Sequence, residues 1–227
     1  MKNYAALGAF LALAQQAMAN LDVVSLTATS EAWIKEATAT LVLPKTPESI
    51  TGDVSFWSAI MMENEASFLQ GVTENAPQGL GYCENLGSQW CNFAYCLVGS
   101  NPTVGDPVKA SAGSKVTTHY KYNSETTMWD QDVYVDDELV SNVSTSKGQH
   151  GWLFYISVEC ASGTCDTAPA HSWEDVSIVL NEANPNFKHE GSWDQGATGG
   201  EMSTTDGGKT WNFSTLKIPA LDVQYNA

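Results

Sequence analysis

Gln70 is the residue of this chain whose surroundings most directly suggest chemistry. It lies in the segment FWSAIMMENEASFLQGV, residues 56–72. A glutamine amide can polarise a carbonyl group by donating a hydrogen bond, but water attack on an amide also needs an acid or base of tuned pKa. No acid stands in a suitable register with Gln70, and the sequence offers only Glu174 and Glu182 as displaced substitutes.

The segment 56–72 resembles the one that reads W-V-G-I-D and then L-Q-x-G in fungal glutamic peptidases. Trp57 and the run Leu69-Gln70-Gly71 occupy the matching places, while Met61 stands where the family has aspartate. The resemblance implies a secreted, acid-acting β-sandwich in which Gln70 is the catalytic glutamine.

The second catalytic residue of that family is a glutamate on a later strand that reads A-E-W-I-V-E. The most similar run here is VSIVLN, residues 176–181, which carries serine and asparagine in place of the acids. The family's aromatic-acid strand, W-Y-E-W, has its nearest counterpart in residues 93–96. A peptidase that uses Gln70 is therefore one hypothesis among several.

A second hypothesis is a small-molecule pocket, because aromatic residues with a few neutral hydrogen-bonding groups are typical of such pockets. Gln70, His119 and Tyr95 are the candidate catalytic hydrogen-bonding residues. The substrate-binding candidates, expected on the same wall, are Trp57, Met61, Tyr122, Trp129 and Tyr155.

Strands such as HYKYN and GWLFYISVEC, with the length of the chain, its cysteines and its glycosylation sequons, resemble the small secreted fungal hetero-Diels–Alderases of tropolone-sesquiterpenoid biosynthesis. The resemblance implies a cycloaddition between a quinone methide and an olefin. Such a reaction needs an apolar cavity and a hydrogen bond to the developing oxygen charge, and it needs neither a cofactor nor a metal. The expected partner is an apolar small molecule.

A carbohydrate-binding module is the third hypothesis. Trp193 in GSWDQG and Trp173 in HSWED have polar surroundings, and exposed tryptophans of this kind stack on sugar rings. Paired carboxylates for glycoside hydrolysis have no E-x-D-x-E-type strand to carry them.

The run STTDGGKTW, residues 203–211, fits the Asp-box pattern of sialidases. Sialidases grip the carboxylate of their substrate with arginines, and all ten basic residues of this chain are lysines. We therefore predict a structural hairpin in which Asp206 caps the turn, Gly207 and Gly208 form it, and Trp211 packs beneath it.

The N-terminus predicts secretion. Lys2, the apolar run YAALGAFLALA and the motif AMA before Asn20 indicate a signal peptide over residues 1–19. Two sequons, at Asn142 and Asn212, predict exposed glycosylation sites.

Cysteines should pair in an oxidising compartment. Cys160 and Cys165 flank a short turn, so a disulfide between them is the pairing that is easiest to predict. Two of Cys83, Cys91 and Cys96 should form another, leaving one thiol over, and their spacing suggests no zinc site.

The formal net charge of −16 disfavours nucleic acid and anionic membranes as partners. Hydrophobic residues make up 43% of the chain, which indicates a folded core.

The elements that must position these residues are short β-rich runs separated by turn residues, which predict an all-β antiparallel sandwich or jelly roll, concanavalin-like or glutamic-peptidase-like, as one domain over 20–227. Only residues 26–39 have a pattern that a helix could adopt. Asp136 and Asp137 are predicted at a hairpin tip. The expected strands are 37–43, 52–63, 67–74, 90–98, 115–123, 126–135, 138–144, 151–160, 175–183 and 210–218.

Overall fold

The computed structural model describes residues 20–48, 51–165 and 167–223, and the predicted signal peptide lies outside this part of the chain. The regular secondary structure of the described chain is almost entirely β-strand, as the sequence predicts, with two single-turn 3-10 helices at Glu63–Glu65 and Phe187–His189. Its strands are β1 (Asn20–Thr27), β2 (Ile34–Val42), β3 (Gly52–Met62), β4 (Ser67–Asn75), β5 (Gln89–Val98), β6 (Asn101–Val104), β7 (Val108–Ser111), β8 (Lys115–Tyr122), β9 (Trp129–Val135), β10 (Glu138–Thr145), β11 (Gly151–Gly163), β12 (Thr167–Ala168), β13 (His171–Leu180), β14 (Gly191–Trp193), β15 (Thr198–Gly199), β16 (Met202–Ser203), β17 (Thr210–Phe213), β18 (Leu216–Ile218) and β19 (Leu221–Asp222).

The strands form two antiparallel layers, which we call the front sheet and the back sheet. The front sheet runs in the order β14-β1-β11-β3-β4-β5, with β6 and β7 both paired to β5. The back sheet runs β13-β2-β8-β9-β10, with β17 and β18 both paired to β13. The two sheets are hydrogen-bonded to each other where Gly151 of β11 meets Ile34 of β2.

The core lies between the sheets because strand alternation turns one face of each towards the other. In β9 this alternation is clear: Trp129, Gln131 and Val133 point inwards, while Asp130 and Asp132 lie on the more exposed face. The large buried side chains of this core include Phe56, Trp90, Trp129, Trp173, Phe154 and Tyr120.

A second apolar cluster lies on the outer face of the front sheet. It consists of Trp57, Ala59, Phe68, Val72 and Phe93 with residues of the loop 76–88. This explains why β3 and β4 are buried on both faces rather than alternating: one face meets the core and the other meets this cluster.

The helix that residues 26–39 could have formed is absent from the structure, and that expectation is wrong. The segment instead contains the end of β1, a turn, and the start of β2. The turn is closed by Thr29, whose hydroxyl accepts a hydrogen bond from the amide of Ala32 at 3.1 Å. Ala37 and Ala39 then alternate into the core, because alanine fits the space between closely packed sheets.

Two hairpins predicted from turn residues are confirmed. Asp136 and Asp137 have φ values of 48° and 69°, as a two-residue turn with both central residues left-handed requires. In the run 203–211, Asp206 accepts hydrogen bonds from the amides of Lys209 and Thr210 at 3.1 and 2.9 Å. The Trp211 indole donates to the carbonyl of Gly208 at 3.1 Å.

The cysteines pair as the sequence allows. Cys160 bonds to Cys165, Cys83 bonds to Cys91, and Cys96 is the free, buried thiol. These disulfides fit an extracellular protein. Asn142 and Asn212 are both exposed, as glycosylation would require. No helix in the described ranges is long and apolar enough to cross a membrane.

Candidate functional site

Two adjacent cavities on the outer face of the front sheet form the candidate site. The larger encloses about 460 Å³ and has a floor of Trp57, Met61, Phe68, Leu97 and Tyr155. Its rim is polar: Asn20, Asp22, Glu65 and Ser67. We call it the apolar cavity.

The smaller cavity encloses about 140 Å³ and is bordered by polar groups and aromatic rings. We call it the acidic cavity. Its lining includes Gln70, Tyr82, Phe93 and Tyr95, and the three carboxyl groups of Asp53, Glu74 and Glu159.

Trp57 borders both cavities and separates them. Its ring meets Phe68 and Tyr155 edge-on at 5.4 and 6.3 Å between centroids, on the apolar side. Its indole nitrogen donates a hydrogen bond to Glu159 at 2.9 Å, on the acidic side. One side chain therefore contacts the apolar cavity with its ring and anchors the acidic cavity with its polar atom.

Strand register decides which residues face Gln70. Gln70 of β4 lies opposite Ala59 of β3, and Ala59 lies opposite Tyr155 of β11. On its other side Gln70 lies opposite Tyr95 of β5. The row through Gln70 is therefore Tyr155, Ala59, Gln70 and Tyr95, and it holds no carboxyl group.

The acids lie further along the groove. Glu74 is four residues beyond Gln70 on β4, about 13 Å at the rise of an extended strand. Glu159 shares the row of Glu74, with Ser55 of β3 between them. A carboxylate that activates a water for attack beside Gln70 must lie within hydrogen-bonding reach of that water. The register offsets the backbone of these acids from Gln70 along the strands, although their side chains line the same cavity.

Burial keeps the acids of this cavity protonated to unusually high pH. It raises the pKa of Glu159 to about 7, against a smaller lowering by the Trp57 hydrogen bond. The pKa of Asp53 is raised by burial, and that of Glu74 is raised by burial and then by the negative charge of Asp53. At mildly acidic pH these groups are neutral hydrogen-bond donors.

The tyrosines beside the cavities are neutral as well. Burial raises the pKa of Tyr95 to about 12, with Tyr82 next to it as the second cause. Burial also raises the pKa of Tyr155 to about 12, with Asp22 as the second cause. Both hydroxyls are therefore uncharged, and that of Tyr95 is hydrogen-bonded to Tyr82.

The loop 76–88 contributes Tyr82 to the wall of the acidic cavity. The amide of Tyr82 donates to the Glu74 carboxyl at 2.5 Å, and the Tyr82 ring packs on Phe93 with 4.6 Å between centroids. The Cys83–Cys91 disulfide ties this loop to β5. A side chain at Gly81 would lie 2.5 Å from the Glu74 carboxyl oxygen, so only glycine allows the loop to approach so closely.

Five of the eight predicted wall residues meet at this site: Trp57, Met61, Gln70, Tyr95 and Tyr155. The expectation that His119, Tyr122 and Trp129 share their wall is wrong, since β8 and β9 belong to the back sheet. His119 bonds to Glu36 at 2.8 Å, and Tyr122 packs against Trp33 and Trp129. The fully buried Trp129 donates its indole N–H to the carbonyl of Gln149.

The expectation that residues 176–181 correspond to the glutamate strand of the peptidases is also wrong. Residues 176–181 belong almost entirely to β13 of the back sheet, and Glu174 on the same strand bonds to Lys115 at 2.8 Å. Glu182 follows that strand. β3 lies between β4, which carries Gln70, and β11, which carries Glu159. The sequence analysis missed Glu159 because no acidic motif marks it.

The two glycan-stacking candidates differ in exposure. Trp173 is buried in the core, which excludes it as a stacking platform. Trp193 is half-buried, packs against Phe213, and borders a separate cavity of about 320 Å³ with His189 and Gly200. In the described part of the chain, no cluster of three His, Cys, Asp or Glu side chains has a metal-binding arrangement.

Three of the solved structures similar to this fold are peptidases. Scytalido-glutamic peptidase with a peptide-based transition-state analogue has 12% identity and a TM-score of 0.56, covering 87% of this chain and 98% of that one. The same peptidase with a transition-state-analogue inhibitor has 11% identity, a TM-score of 0.53 and the same two coverages. SCP-B, a member of the eqolisin family in complex with the tripeptide Ala-Ile-His, has 11% identity and a TM-score of 0.51, again with 87% and 98% coverage.

No family model matches the sequence, and no curated protein matches it. At these identities the likeness shows the fold alone: a β-sandwich of the glutamic-peptidase type. An enzymatic role fits this fold, and the chemistry must be argued from the site.

Proposed function

We propose that this protein is a secreted, cofactor-independent enzyme that binds apolar small molecules and joins them by cycloaddition, with hetero-Diels–Alder chemistry as the reaction class. The observation that carries the proposal is the pair of unequal cavities on either side of Trp57. One is large with an apolar floor, and the other is small and rich in neutral hydrogen-bonding groups.

Two unequal reactants match this arrangement. The apolar cavity suits an olefin of terpene type, because apolar surface gains most from a cavity floored by aromatic and aliphatic side chains. The acidic cavity suits a planar, oxygen-bearing partner such as a quinone methide. Its oxygen would accept hydrogen bonds there, while Tyr82 and Phe93 offer aromatic surface for its ring.

The reaction requires the protein to position the two reactants and to donate hydrogen bonds to the reacting oxygen. One carbon–carbon and one carbon–oxygen bond form, two π bonds become two σ bonds, and no proton, electron pair or leaving group departs. The enzyme must hold the partners in near-attack geometry and stabilise charge that develops on the oxygen. Gln70 and Tyr95 supply uncharged hydrogen-bonding groups in the acidic cavity, and Tyr155 of the same row supplies one from the apolar cavity.

A glutamic peptidase that uses Gln70 is the alternative, favoured by the fold and by the position of Gln70 in a cleft. Tyr155 argues against this alternative. It lies on β11 in the row of Gln70, separated from it by Ala59 of β3, and it occupies the place where a water-activating carboxylate would be needed. Glu159, the nearest acid on that strand, lies in another row and has a raised pKa, so it is protonated at the acidic pH where such a peptidase works.

One experiment separates the two. The secreted protein is mixed with an ortho-quinone methide, released in situ from an o-hydroxybenzyl precursor, and with a cyclic terpene olefin. We expect the dihydropyran product to form faster than without protein and in excess of one enantiomer. Gln70→Ala should lower the rate by about 10-fold to 100-fold, as expected when a donor to developing charge is lost.

Trp193→Ala is the matched control, because it removes a tryptophan outside both cavities. Its rate should equal that of the wild type. A racemic product formed at the uncatalysed rate would contradict the proposal. Cleavage of a denatured protein at about pH 3, abolished in Gln70→Ala, would establish the peptidase alternative instead.

A further inference from the structure

The peptide bond that follows Gln70 is held by side chains from the opposite sheet. Its carbonyl oxygen, that of Gln70, accepts a hydrogen bond from the Gln131 side-chain amide at 2.6 Å. Its N–H, that of Gly71, donates to the Tyr120 hydroxyl at 2.7 Å. Both polar atoms of one peptide group in β4 are thus bonded to β8 and β9 of the back sheet.

The Tyr120 hydroxyl is itself fixed. It donates to the carbonyl of Ser58 at 2.5 Å, and Ser58 lies directly opposite Gly71 in the β3–β4 pair. Tyr120 therefore bridges the two strands that form the centre of the candidate site. Its ring is fully buried, so this bridge does not exchange with water.

Gly71 allows the close approach that these bonds need. A Cβ atom at this position would lie 1.9 Å from the Thr118 hydroxyl oxygen of β8. No side chain fits there, since real contacts are never so short. The absence of a side chain at Gly71 brings the peptide within hydrogen-bonding reach of the back sheet.

This arrangement costs stability. Gln131 is completely buried, and its side-chain oxygen has no partner within the described chain. An unpaired buried acceptor is unfavourable, and an apolar residue of similar volume would avoid the penalty. A cost of this kind is typical of residues that serve a function rather than the fold.

We propose that Tyr120 and Gln131 are positioning residues for Gln70. By fixing the plane of the 70–71 peptide from behind, they set the direction in which the Gln70 side chain leaves β4 and enters the acidic cavity. The Gln70 amide makes no hydrogen bond to a residue that the structure describes, so the direction of its backbone, together with the packing around this buried side chain, orients it. The consequence for catalysis rests on the proposed function, but the geometric claim does not.

The test uses Tyr120→Phe, which removes only the hydroxyl, and Gln131→Met, which removes the amide at nearly constant volume. The readout is the pair of Gln70 side-chain amide signals in a ¹⁵N–¹H NMR spectrum, assigned by their loss in Gln70→Ala. Thr40→Val is the matched control. It removes a buried hydroxyl that bonds to Thr117 at 2.8 Å, without contacting the 70–71 peptide.

We expect both positioning variants to move the Gln70 signals beyond the spread seen with Thr40→Val. In the cycloaddition assay, kcat should fall about 10-fold or more with little change in KM, because misorientation affects the reacting geometry more than binding. Unmoved Gln70 signals in either folded variant would overturn the inference. Moved signals without any cycloaddition in the wild type would support it and refute only the proposed reaction.

Discussion

At the scale of single residues, Tyr155, which shares the row of Gln70 with Ala59 between them, limits the chemistry that this row supports. Tyr155 and Gln70 flank Ala59, which is fully buried, so Tyr155 reaches a ligand from the apolar cavity and Gln70 reaches one from the acidic cavity. A neutral phenol with a raised pKa donates a hydrogen bond but does not deprotonate water. The row therefore favours reactions that need polarisation of an oxygen rather than a general base.

Tyr155→Phe should lower kcat/KM for the cycloaddition about 10-fold, because it removes one donor and leaves the ring that packs on Phe68 and Trp57. Circular dichroism and the unfolding midpoint should stay close to those of the wild type. Tyr134→Phe, a tyrosine of the back sheet, is the control and should retain full activity. Equal activity of wild type and Tyr155→Phe would show that this hydroxyl takes no part.

At the scale of elements, the hairpin of residues 203–211 shows how a functional motif can serve as scaffold. Asp206 accepts three hydrogen bonds within its own turn, from Thr204, Lys209 and Thr210. These bonds lower its pKa to about 2. None of these residues borders either cavity of the candidate site.

Asp206→Ala should lower the unfolding midpoint, because the turn loses the side chain that accepts its hydrogen bonds, and should leave cycloaddition unchanged. Chemical denaturation measures the first and the product assay the second. Asp194→Ala, in the neighbouring glycine-rich stretch, is a control that loses a single side-chain bond to Ser192. Loss of activity in Asp206→Ala at full folding would mean that the hairpin contributes to the site.

The loop 76–88 is the element that brings Tyr82 to the wall of the acidic cavity. Replacing Cys83 and Cys91 together by alanine should weaken binding of the oxygen-bearing partner, because Tyr82 loses its anchor to β5. Stability should fall by about 2–3 kcal/mol, as expected for so short a disulfide loop. Isothermal titration measures the binding.

The double variant of Cys160 and Cys165 is the control for this loop. Neither residue borders the two cavities, so it should lose stability without losing affinity. Equal affinity in both double variants would argue against a binding role for the loop.

Much of this element structure follows from the sequence, and the physical reason is local. Alternation predicts β8 to β10 closely, and turn residues predict the hairpin tip at Asp136 and Asp137. The site is less predictable. Trp129 and Trp57 look alike in sequence, yet one points into the core and the other to the outer face, because the sheet to which each strand belongs is set by long-range pairing.

Glu159 illustrates the same limit. It follows an apolar run on β11 and has no motif around it, so only the pairing of β11 with β3 brings it beside Trp57. In the sequence, Gln131 is indistinguishable from the other polar residues of its alternating strand. Only the packing of the two sheets shows that its side-chain amide donates a hydrogen bond to the Gln70 carbonyl.

At the scale of the whole molecule, the buried carboxyl groups connect stability to pH. A carboxyl whose pKa is raised on folding binds its proton more tightly in the folded state than in the unfolded chain. The contribution of this carboxyl to stability is complete below the pKa it has in the unfolded chain. It is lost as the pH rises towards the pKa it has in the folded protein. The direction for Glu74, raised from 4.5, places this decline between about pH 5 and pH 8.

Glu74→Gln should therefore flatten the decline and stabilise the protein at pH 8 by about 1–2 kcal/mol, since the amide oxygen still accepts the Tyr82 N–H. Urea denaturation at pH 5 and pH 8 measures the difference. Glu125→Gln, in an exposed turn, is the control and should follow the wild type. A steeper loss of stability in Glu74→Gln than in the wild type would contradict this account.

The acidic cavity at one end and the apolar floor at Phe68 and Leu97 at the other also give the groove a direction. Under the proposed function, the oxygen-bearing reactant lies beside Tyr82 and the hydrocarbon reactant lies over Phe68. Each reactant then presents one face to the other at Trp57. The regiochemistry and handedness of the product would be set by this polarity of the front sheet, before any bond begins to form.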